Sequence, residues 1–237
     1  MISWELLALS PPGWGGVLLR GLLTSLEVAA GGYIVGQIIG VFGAAGKLYG
    51  GPVIRDLMEI YTTVIRAVPE MVLIVLLYYA GTDALNNILA SFGHEAMDIS
   101  GMVAGIMVIG LVQGGYSTEV LRGAIKAIPP GQIEAARAYG MAPAKIMRRI
   151  TLPAMLPHAI PGLANLWLIT TKDTALLAVV GFTELTLATR QAAGVTKDYL
   201  LFFSAAGVLY LIVTLISNVI IHFIEKRARR GMTRPQS

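Results

Sequence analysis

The sequence has no cysteine among its 237 residues, and few of those residues are charged. Without cysteine the chain forms no disulfide, no thiolate metal site and no cysteine nucleophile. Charged residues make up 14% of the chain, whereas about a quarter is typical of a soluble domain that must solvate its surface. Hydrophobic residues make up 55%, and the mean hydropathy is +0.70. This composition excludes an ordinary soluble globule and indicates a protein surrounded by lipid.

Several motifs that carry catalysis or binding are also missing. The sequence has no GxxxxGK[ST] loop, no GxSxG elbow and no HExxH pair, so we expect neither ATP binding by this chain nor hydrolase chemistry. His158 has no Asp, Cys or second His at ligand spacing; we interpret it and His222 as structural and expect no metal. The net charge of +4 is small for a nucleic-acid-binding chain, so no nucleic acid is expected as a partner.

Apolar runs predict five transmembrane helices. Four runs without Asp, Glu, Lys or Arg reach about 20 residues, enough to cross roughly 30 Å of hydrocarbon. They are residues 28–46, 99–118, 150–171 and 202–224, the last within a run that starts at Tyr199. A fifth run, 71–82, is about half long enough. We extend it backward through Val68, Ile65 and Tyr61, which places a break or kink near Pro69, and predict an all-α integral membrane protein.

The distribution of Lys and Arg predicts the orientation of the spans, because cytoplasmic loops carry an excess of both. We place the loops after the first and third spans on one side together with the C-terminus. That side holds twelve of the 18 cations: Lys47, Arg55, Lys126, Arg137, Lys145, Arg148, Arg149, Lys226, Arg227, Arg229, Arg230 and Arg234. The other side holds Arg20, Arg190 and Lys197, with the acids Glu5, Asp83, Glu95, Asp98, Glu184 and Asp198. We therefore expect the N-terminus outside and the C-terminus in the cytoplasm.

The segment 129–153, between the third and fourth spans, has the pattern of two short helices joined by a corner. Residues 132–139 favour a helix, and Gly140 ends it. A second helix is predicted to start at Ala142-Pro143, where proline is tolerated in the first turn, and to lead into the fourth span. Ala135, Ala136 and Ala138 give the first helix a surface with almost no side chain, which another protein can approach closely.

Residues within this segment also stand at a specific spacing. Glu134-Ala135-Ala136 is followed after three residues by Gly140, after nine more by Ile150, and after one more by Leu152-Pro153. This pattern resembles the EAA loop of permease subunits in bacterial ABC importers. Over about residues 16–230 the chain resembles the polar amino-acid branch, and within it the Q-type subunits of histidine, lysine, arginine, octopine and nopaline importers. The segments that carry this wider resemblance are 61–69, 116–123, 172–176 and 43–47.

The resemblance implies a single ABC transmembrane domain of the type-1 importer over 1–237, with a cytoplasmic coupling loop at 129–153. In such importers the EAA loop docks in a cleft of the ATP-binding subunit. The residues to which it gives a coupling role are Glu134, Ala135, Ala136, Gly140, Ile150, Leu152 and Pro153. The implied partners are a second, similar but non-identical permease chain, two ATP-binding subunits and a periplasmic amino-acid-binding protein. The chain itself is expected to bind no cofactor, to be no enzyme and to lie in the bacterial inner membrane.

Ionisable residues in the spans are the candidates for a substrate pathway. Lys172 and Asp173 interrupt the fourth span, Glu27 lies in the first, and Glu119 ends the third. A central charge costs about 2.5–3.5 kcal/mol on insertion scales, so each needs a partner or a polar cavity. One of the three acids could receive the side chain of a basic substrate. The alternative is pairing with another span or snorkelling to the surface, which we favour for Lys172.

Two pairs of opposite charge stand at helical spacing. Arg66 and Glu70 are four residues apart across Pro69, and Glu119 and Arg122 are three apart. Both spacings allow contact on one helix face. We interpret them as structural ion pairs or hinge supports rather than substrate contacts.

The sequence therefore predicts a non-catalytic permease subunit of an ATP-driven importer for polar or basic amino acids or opines. It would form half of the translocation pathway. The alternative is an ion-coupled secondary transporter or a channel that acts without an ATPase. The absence of a visible inverted repeat in the sequence, and a loop with the shape of a docking site, argue against that alternative.

Overall fold

A computed structural model describes residues 4–91 and 100–228, and the regular structure in these ranges is helical, with no strand. The α-helices, numbered in chain order, are α1 Gly15–Tyr49, α2 Pro52–Ala67, α3 Glu70–Ser91, α4 Gly101–Lys126, α5 Pro130–Ala138, α6 Pro143–Ile146, α7 Leu152–Asp173, α8 Leu185–Thr196 and α9 Tyr199–Ala228. The described residues also include two 3₁₀ helices, Trp4–Leu7 and Thr174–Val180, and one π-helical turn, Met147–Thr151.

Five helical segments are long and apolar enough to cross a membrane, which confirms the predicted number. They are Gly15–Tyr49, Glu70–Ile88, Gly101–Lys126, Pro143–Val180 and Tyr199–Ala228. The predicted start of the third span, Ile99, lies outside the described residues. The first and fourth segments, at 35 and 38 residues, are longer than predicted because polar residues at their ends continue the helices.

The second span lies later in the chain than predicted. The helix breaks after Ala67 and resumes at Glu70, close to Pro69, whose ring removes a backbone donor. The membrane-length apolar segment then runs forward to Ile88 instead of reaching backward to Tyr61. The charge-free run stops at Thr82, but α3 continues through the exposed Asp83, because one exposed acid does not end a helix. The preceding α2 is a separate helix that packs on α1 and α4.

The closest packing in the bundle joins α1 to α4 through glycines. Gly32, Gly36 and Gly40 recur every four residues and therefore share one face of α1. A Cβ added at Gly36 would lie 2.7 Å from the Cβ of Gln113, and one added at Gly40 would lie 2.5 Å from the Cβ of Ser117. These distances are too short for real side chains, so the two backbones meet directly, as in other membrane helices that pack through small residues.

Three buried apolar clusters fill the bundle from one end to the other. The first joins α1, α8 and α9 around Leu185 and Phe202. The central cluster joins α1 through α4 and the 3₁₀ helix, and its buried members are Val28, Ile65, Leu73, Ile74, Val108, Ile109, Val112 and Leu177. The third joins α1, α4 and α7 around Leu121 and Met155. The bundle thus has an end that carries α8 and an opposite end that carries α5 and α6, which we call the α8 side and the α5–α6 side.

Candidate functional site

The corner between α5 and α6 is built by backbone hydrogen bonds around Gly140. The Gly140 amide donates to the Arg137 carbonyl at 2.9 Å, and the Met141 amide donates to the Ala136 carbonyl at 3.1 Å. This is the Schellman arrangement, in which the residue after the helix takes a left-handed conformation. Gly140 has φ +71°, which a residue with a Cβ adopts only with strain. The structure therefore shows a tight corner at the position where the sequence predicts one.

The helix α5 presents part of its surface away from the bundle. Glu134 and Ala135 are exposed, and Tyr139 at the end of the helix is 89% exposed. Ala136, in contrast, is 4% exposed and packs inward. Of the three alanines expected to form a bare surface, Ala135 and Ala138 do so, because a helix turns consecutive residues by about 100° and Ala136 falls on the inner face.

The second part of the loop runs without interruption into the fourth span. The short helix α6 begins after Ala142, and the π-helical turn Met147–Thr151 joins it to α7. Ile150 is half-buried on this turn, while Leu152 and Pro153 are exposed at the start of α7. The short helix α6 is therefore continuous with the fourth span over Pro143–Val180.

Lys47 forms a buried charge cluster on the α5–α6 side that sequence reasoning missed. Its side chain is 3% exposed, and its Nζ lies 2.6 Å from Glu59 Oε2 and 2.5 Å from Glu119 Oε1. It also donates to Thr62 Oγ1 at 2.9 Å. One ammonium group thus joins α1, α2 and α4. The signal in the sequence was a lysine directly after a long apolar run, which we counted only as a loop cation.

The hydrogen bond from Lys47 and the charge of Lys47 together lower the pKa of Glu59 below its ordinary value of 4.5. A carboxyl group with a lowered pKa stabilises the folded state while it is ionised. This contribution is complete above the ordinary pKa and is lost as the pH falls through the lowered one. The contact with Glu59 is therefore intact near neutral pH.

The two predicted ion pairs have different outcomes. Arg122 Nη2 lies 2.6 Å from Glu119 Oε2, so that pair is present, and Glu119 bridges Arg122 and Lys47. Arg66 and Glu70 form no ion pair within the described ranges: the Arg66 Nε donates to the Thr62 carbonyl, and Glu70 accepts from the Tyr116 hydroxyl at 3.0 Å. The break at Pro69 separates the two residues into different helices, so their spacing of four no longer brings them together.

Asp173 lies half-buried at the end of α7, beside a fully buried glutamine of α4. The Gln113 Nε2 donates to Asp173 Oδ2 at 3.4 Å. The Gln113 Oε1 has no hydrogen-bond partner among residues 4–91 and 100–228. A buried amide oxygen without a partner is costly, so the described residues leave the hydrogen bonding of Gln113 incomplete. The neighbouring Lys172 is exposed.

Two acids have surroundings that differ from those expected from the sequence. Glu27, a pathway candidate, is on an exposed part of α1. Glu184, counted as an outer charge, is 0% exposed and accepts from the Ser25 hydroxyl at 3.1 Å, the Tyr210 hydroxyl at 3.2 Å and the Leu187 amide at 2.9 Å. It caps α8 and joins that helix to α1 and α9. The sequence contains no periodic signal for such a contact, because its partners are 159 and 26 residues away.

Five membrane-length helices and a two-helix loop between the third and fourth define a multi-pass membrane transport protein, and comparisons identify its family. Residues 17–230 match the family of the binding-protein-dependent transport system inner membrane component. The histidine/lysine/arginine/ornithine transport system permease protein HisQ of Escherichia coli (strain K12) is 40% identical over 222 residues, covering 94% of this chain and 97% of that protein. The nopaline transport system permease protein NocQ of Agrobacterium fabrum is 40% identical over 222 residues, covering 93% and 94%.

A solved structure agrees with these sequence relatives. The crystal structure of an amino acid ABC transporter with histidines contains a chain with a TM-score of 0.77 and 28% identity, covering 90% of this chain and 95% of that one. The present chain belongs to the family of binding-protein-dependent transport system inner membrane components. It is the permease subunit of an ABC importer, in which separate ATPase subunits hydrolyse ATP. Such an inner-membrane permease works with another permease, an ATPase and a binding protein.

The burial of Lys47 predicts a large effect of its removal. In Lys47→Met we expect the free energy of unfolding to fall by about 3–5 kcal/mol, the usual effect of removing one partner of a buried ion pair. In Glu59→Gln we expect a loss of about 0–1 kcal/mol, because the Glu59 side chain is 59% exposed. Thermal unfolding of the purified importer in detergent measures both. Similar small shifts in the two variants would show that Lys47 is not the structural centre of this cluster.

Proposed function

We propose that this chain forms half of the translocation pathway of an importer for basic amino acids or opines, together with a similar but non-identical permease chain. We further propose that residues 16–230 form one domain and that the loop 129–153 transmits the closure of two ATP-binding subunits to the membrane helices. The observation that carries this proposal is the exposed helix α5, held at a left-handed glycine corner and continuous through α6 with the fourth span.

The proposed coupling roles follow from exposure and position. Glu134 and Ala135 are exposed on α5 and are available to an ATP-binding subunit. Gly140 fixes the angle between α5 and α6. The π-helical turn carries Ile150, and the first turn of α7 carries Leu152 and Pro153. These residues would be the first part of the fourth span to move when the ATP-binding subunits close. A π-helical turn has a looser hydrogen-bond pattern than an α-helix and occurs frequently at functional sites.

Substitution of Gly140 by alanine tests the coupling role. An alanine with positive φ costs about 1–2 kcal/mol, which changes the equilibrium constant between the native corner and other conformations by a factor of about 5–30. We expect Gly140→Ala to lower ATP-driven uptake by up to that factor in proteoliposomes that contain the complete importer and its binding protein, while the protein still inserts and ATP is still hydrolysed. We expect Glu134→Ala to separate uptake from ATP hydrolysis in the same way.

Gly131→Ala is the matched control, because Gly131 lies in the first turn of the same helix without positive φ and a Cβ there would meet nothing within 4 Å. Its uptake should equal that of the unaltered importer. Normal ATP-driven uptake by both Gly140→Ala and Glu134→Ala would contradict the coupling proposal.

Asp173 is the leading candidate for contact with a basic substrate. It is half-buried, and the adjacent Gln113 carries a free amide oxygen. Glu119 is less suited, because Lys47 and Arg122 already occupy its two carboxylate oxygens. Lys172, exposed beside Asp173, is retained as a weaker candidate for contact with a substrate carboxylate. Glu27 is kept as a further pathway acid on the exposed side of α1. The names of the relatives support a basic amino acid or an opine as the substrate.

Neutralising Asp173 tests this role. A hydrogen bond to a charged group contributes about 1.5–3 kcal/mol, so we expect Asp173→Asn to reduce uptake of labelled arginine by about tenfold or more. Uptake is measured with the complete importer and its binding protein in proteoliposomes. Asp83→Asn is the control, because Asp83 is an exposed acid on α3, and it should leave uptake unchanged. Unchanged arginine uptake by Asp173→Asn would remove the proposed contact.

We also propose that the N-terminus lies outside and the C-terminus in the cytoplasm, as the Lys and Arg distribution indicates. The absence of cysteine from the sequence makes a labelling test simple. In intact cells, a membrane-impermeant maleimide should label Ser10→Cys, and it should label Arg55→Cys only after permeabilisation. Both positions are exposed. The reverse pattern would overturn the orientation.

A further inference from the structure

Two cavities that differ in character lie along α7, in a groove that also reaches α9. The larger, of about 830 Å³, opens at the α5–α6 side between the start of α7 and the segment that joins α4 to α5, with Ala228 of α9 at its edge. We call it the polar cavity because Gln132, Arg149 and His158 line it among apolar residues. An apolar cavity of about 400 Å³ lies deeper along the same two helices. Neither cavity includes the pathway acids, and the larger one shares Ile150 and Pro153 with the proposed coupling residues. The transport mechanism proposed above gives no role to Arg149, to His158 or to the apolar cavity.

The polar cavity has a positive character. Its polar side chains are Arg149, His158 and Gln132, and none of its lining residues in the described part of the chain is an acid. Ala228, the last described residue of α9, lies at its edge. The last turn of α9 carries Lys226 and Arg227 alongside one acid, Glu225. This end of the groove therefore favours a ligand with a negative charge.

The apolar cavity has the character of a site for hydrocarbon. Its lining includes Ile160 and Leu163 of α7 and Ile220, Ile221 and Ile224 of α9. Its polar side chains are largely engaged: the Trp167 Nε1 donates to the Ser217 hydroxyl at 3.0 Å, and the Tyr33 hydroxyl donates to the Leu163 carbonyl at 3.1 Å. The surface of α9 around the cavity is also apolar, with Phe223 65% exposed.

The two cavities follow each other directly along both helices. On α7, Pro157 lines the first cavity and Ile160, three residues later on the same face, lines the second, a rise of about 4.5 Å. On α9, Ala228 and Ile224 are separated by about 6 Å, or one turn. A ligand that fills both must have a charged end at the membrane surface and an apolar end within the bilayer.

We propose that this groove binds an anionic phospholipid, with the phosphate-bearing headgroup against Arg149 and an acyl chain against Leu163 and Ile221. Basic pockets between membrane helices are suited to anionic headgroups, and the adjoining hydrocarbon site accounts for the second cavity. The leaflet that supplies the lipid is the cytoplasmic one if the orientation proposed above holds. The binding itself does not depend on that orientation or on the transported substrate, and its headgroup site shares Ile150 and Pro153 with the coupling loop.

Native mass spectrometry of the complete importer, purified in detergent, tests the proposal. The importer is titrated with dioleoylphosphatidylglycerol and, separately, with dioleoylphosphatidylcholine, which has the same chains and no net charge. We expect tighter binding of the anionic lipid. We expect Arg149→Gln to weaken this binding by about fivefold, the contribution of one basic residue near an anionic surface. Arg148→Gln is the matched control, because Arg148 is exposed on the same turn but does not line the cavity.

Two further measurements distinguish binding of a whole lipid from binding of its headgroup alone. They also control for loss of assembly of the importer. Ala164→Phe fills the apolar cavity, which Ala164 lines, and should also weaken lipid binding while leaving the basic loop unaltered. Soluble glycerophosphoglycerol should not displace the bound lipid. Equal binding of the two lipids, equal effects of Arg148→Gln and Arg149→Gln, or no effect of Ala164→Phe would overturn the proposal. Displacement by the soluble headgroup would show a phosphate site instead.

Discussion

The direct contact between the backbones of α1 and α4 is the constraint on which the rest of the bundle depends. Lipid gives membrane helices no hydrophobic reason to associate, so close packing and hydrogen bonds between helices must hold them together. Gly36 and Gly40 provide that closeness, because any Cβ there would collide with α4. The position of α4 then fixes where Gln113 and Glu119 lie, and through them the polar interior and the charge cluster of Lys47.

Two buried charged residues, Lys47 and Glu184, join different helices of this bundle. Lys47 joins α1, α2 and α4 through two acids, and Glu184 joins α8, α1 and α9 through a serine and a tyrosine. Each group is expensive to bury alone and becomes stabilising only when its partners are present. The place that differs is Gln113 with Asp173, where one buried oxygen has no partner in residues 4–91 and 100–228.

The sequence allowed much of the helical layout to be predicted, and the reasons are local. The lengths of the apolar runs predicted five membrane crossings, Pro69 predicted the helix break, and Gly140 predicted the corner between α5 and α6. Each of these features depends on one residue or one run of residues. The bounds of the second span were wrong because Asp83 was treated as its end. The Arg66 and Glu70 contact was wrong because helical spacing was applied across a helix break.

The sequence by itself determined that this chain is a five-span membrane protein with a two-helix loop, since composition, apolar length and the spacing of the EAA residues need no tertiary contact. Only the tertiary structure decided which ionisable residues are buried together. Lys47 and Glu119 are 72 residues apart, and Ser25 and Glu184 are 159 apart. The periodicity of a sequence predicts contacts between residues a few positions apart, not between residues this far apart in the chain. Such long-range contacts arise because the packing of α1 against its neighbours brings remote polar groups into a region where lipid leaves them no other partner.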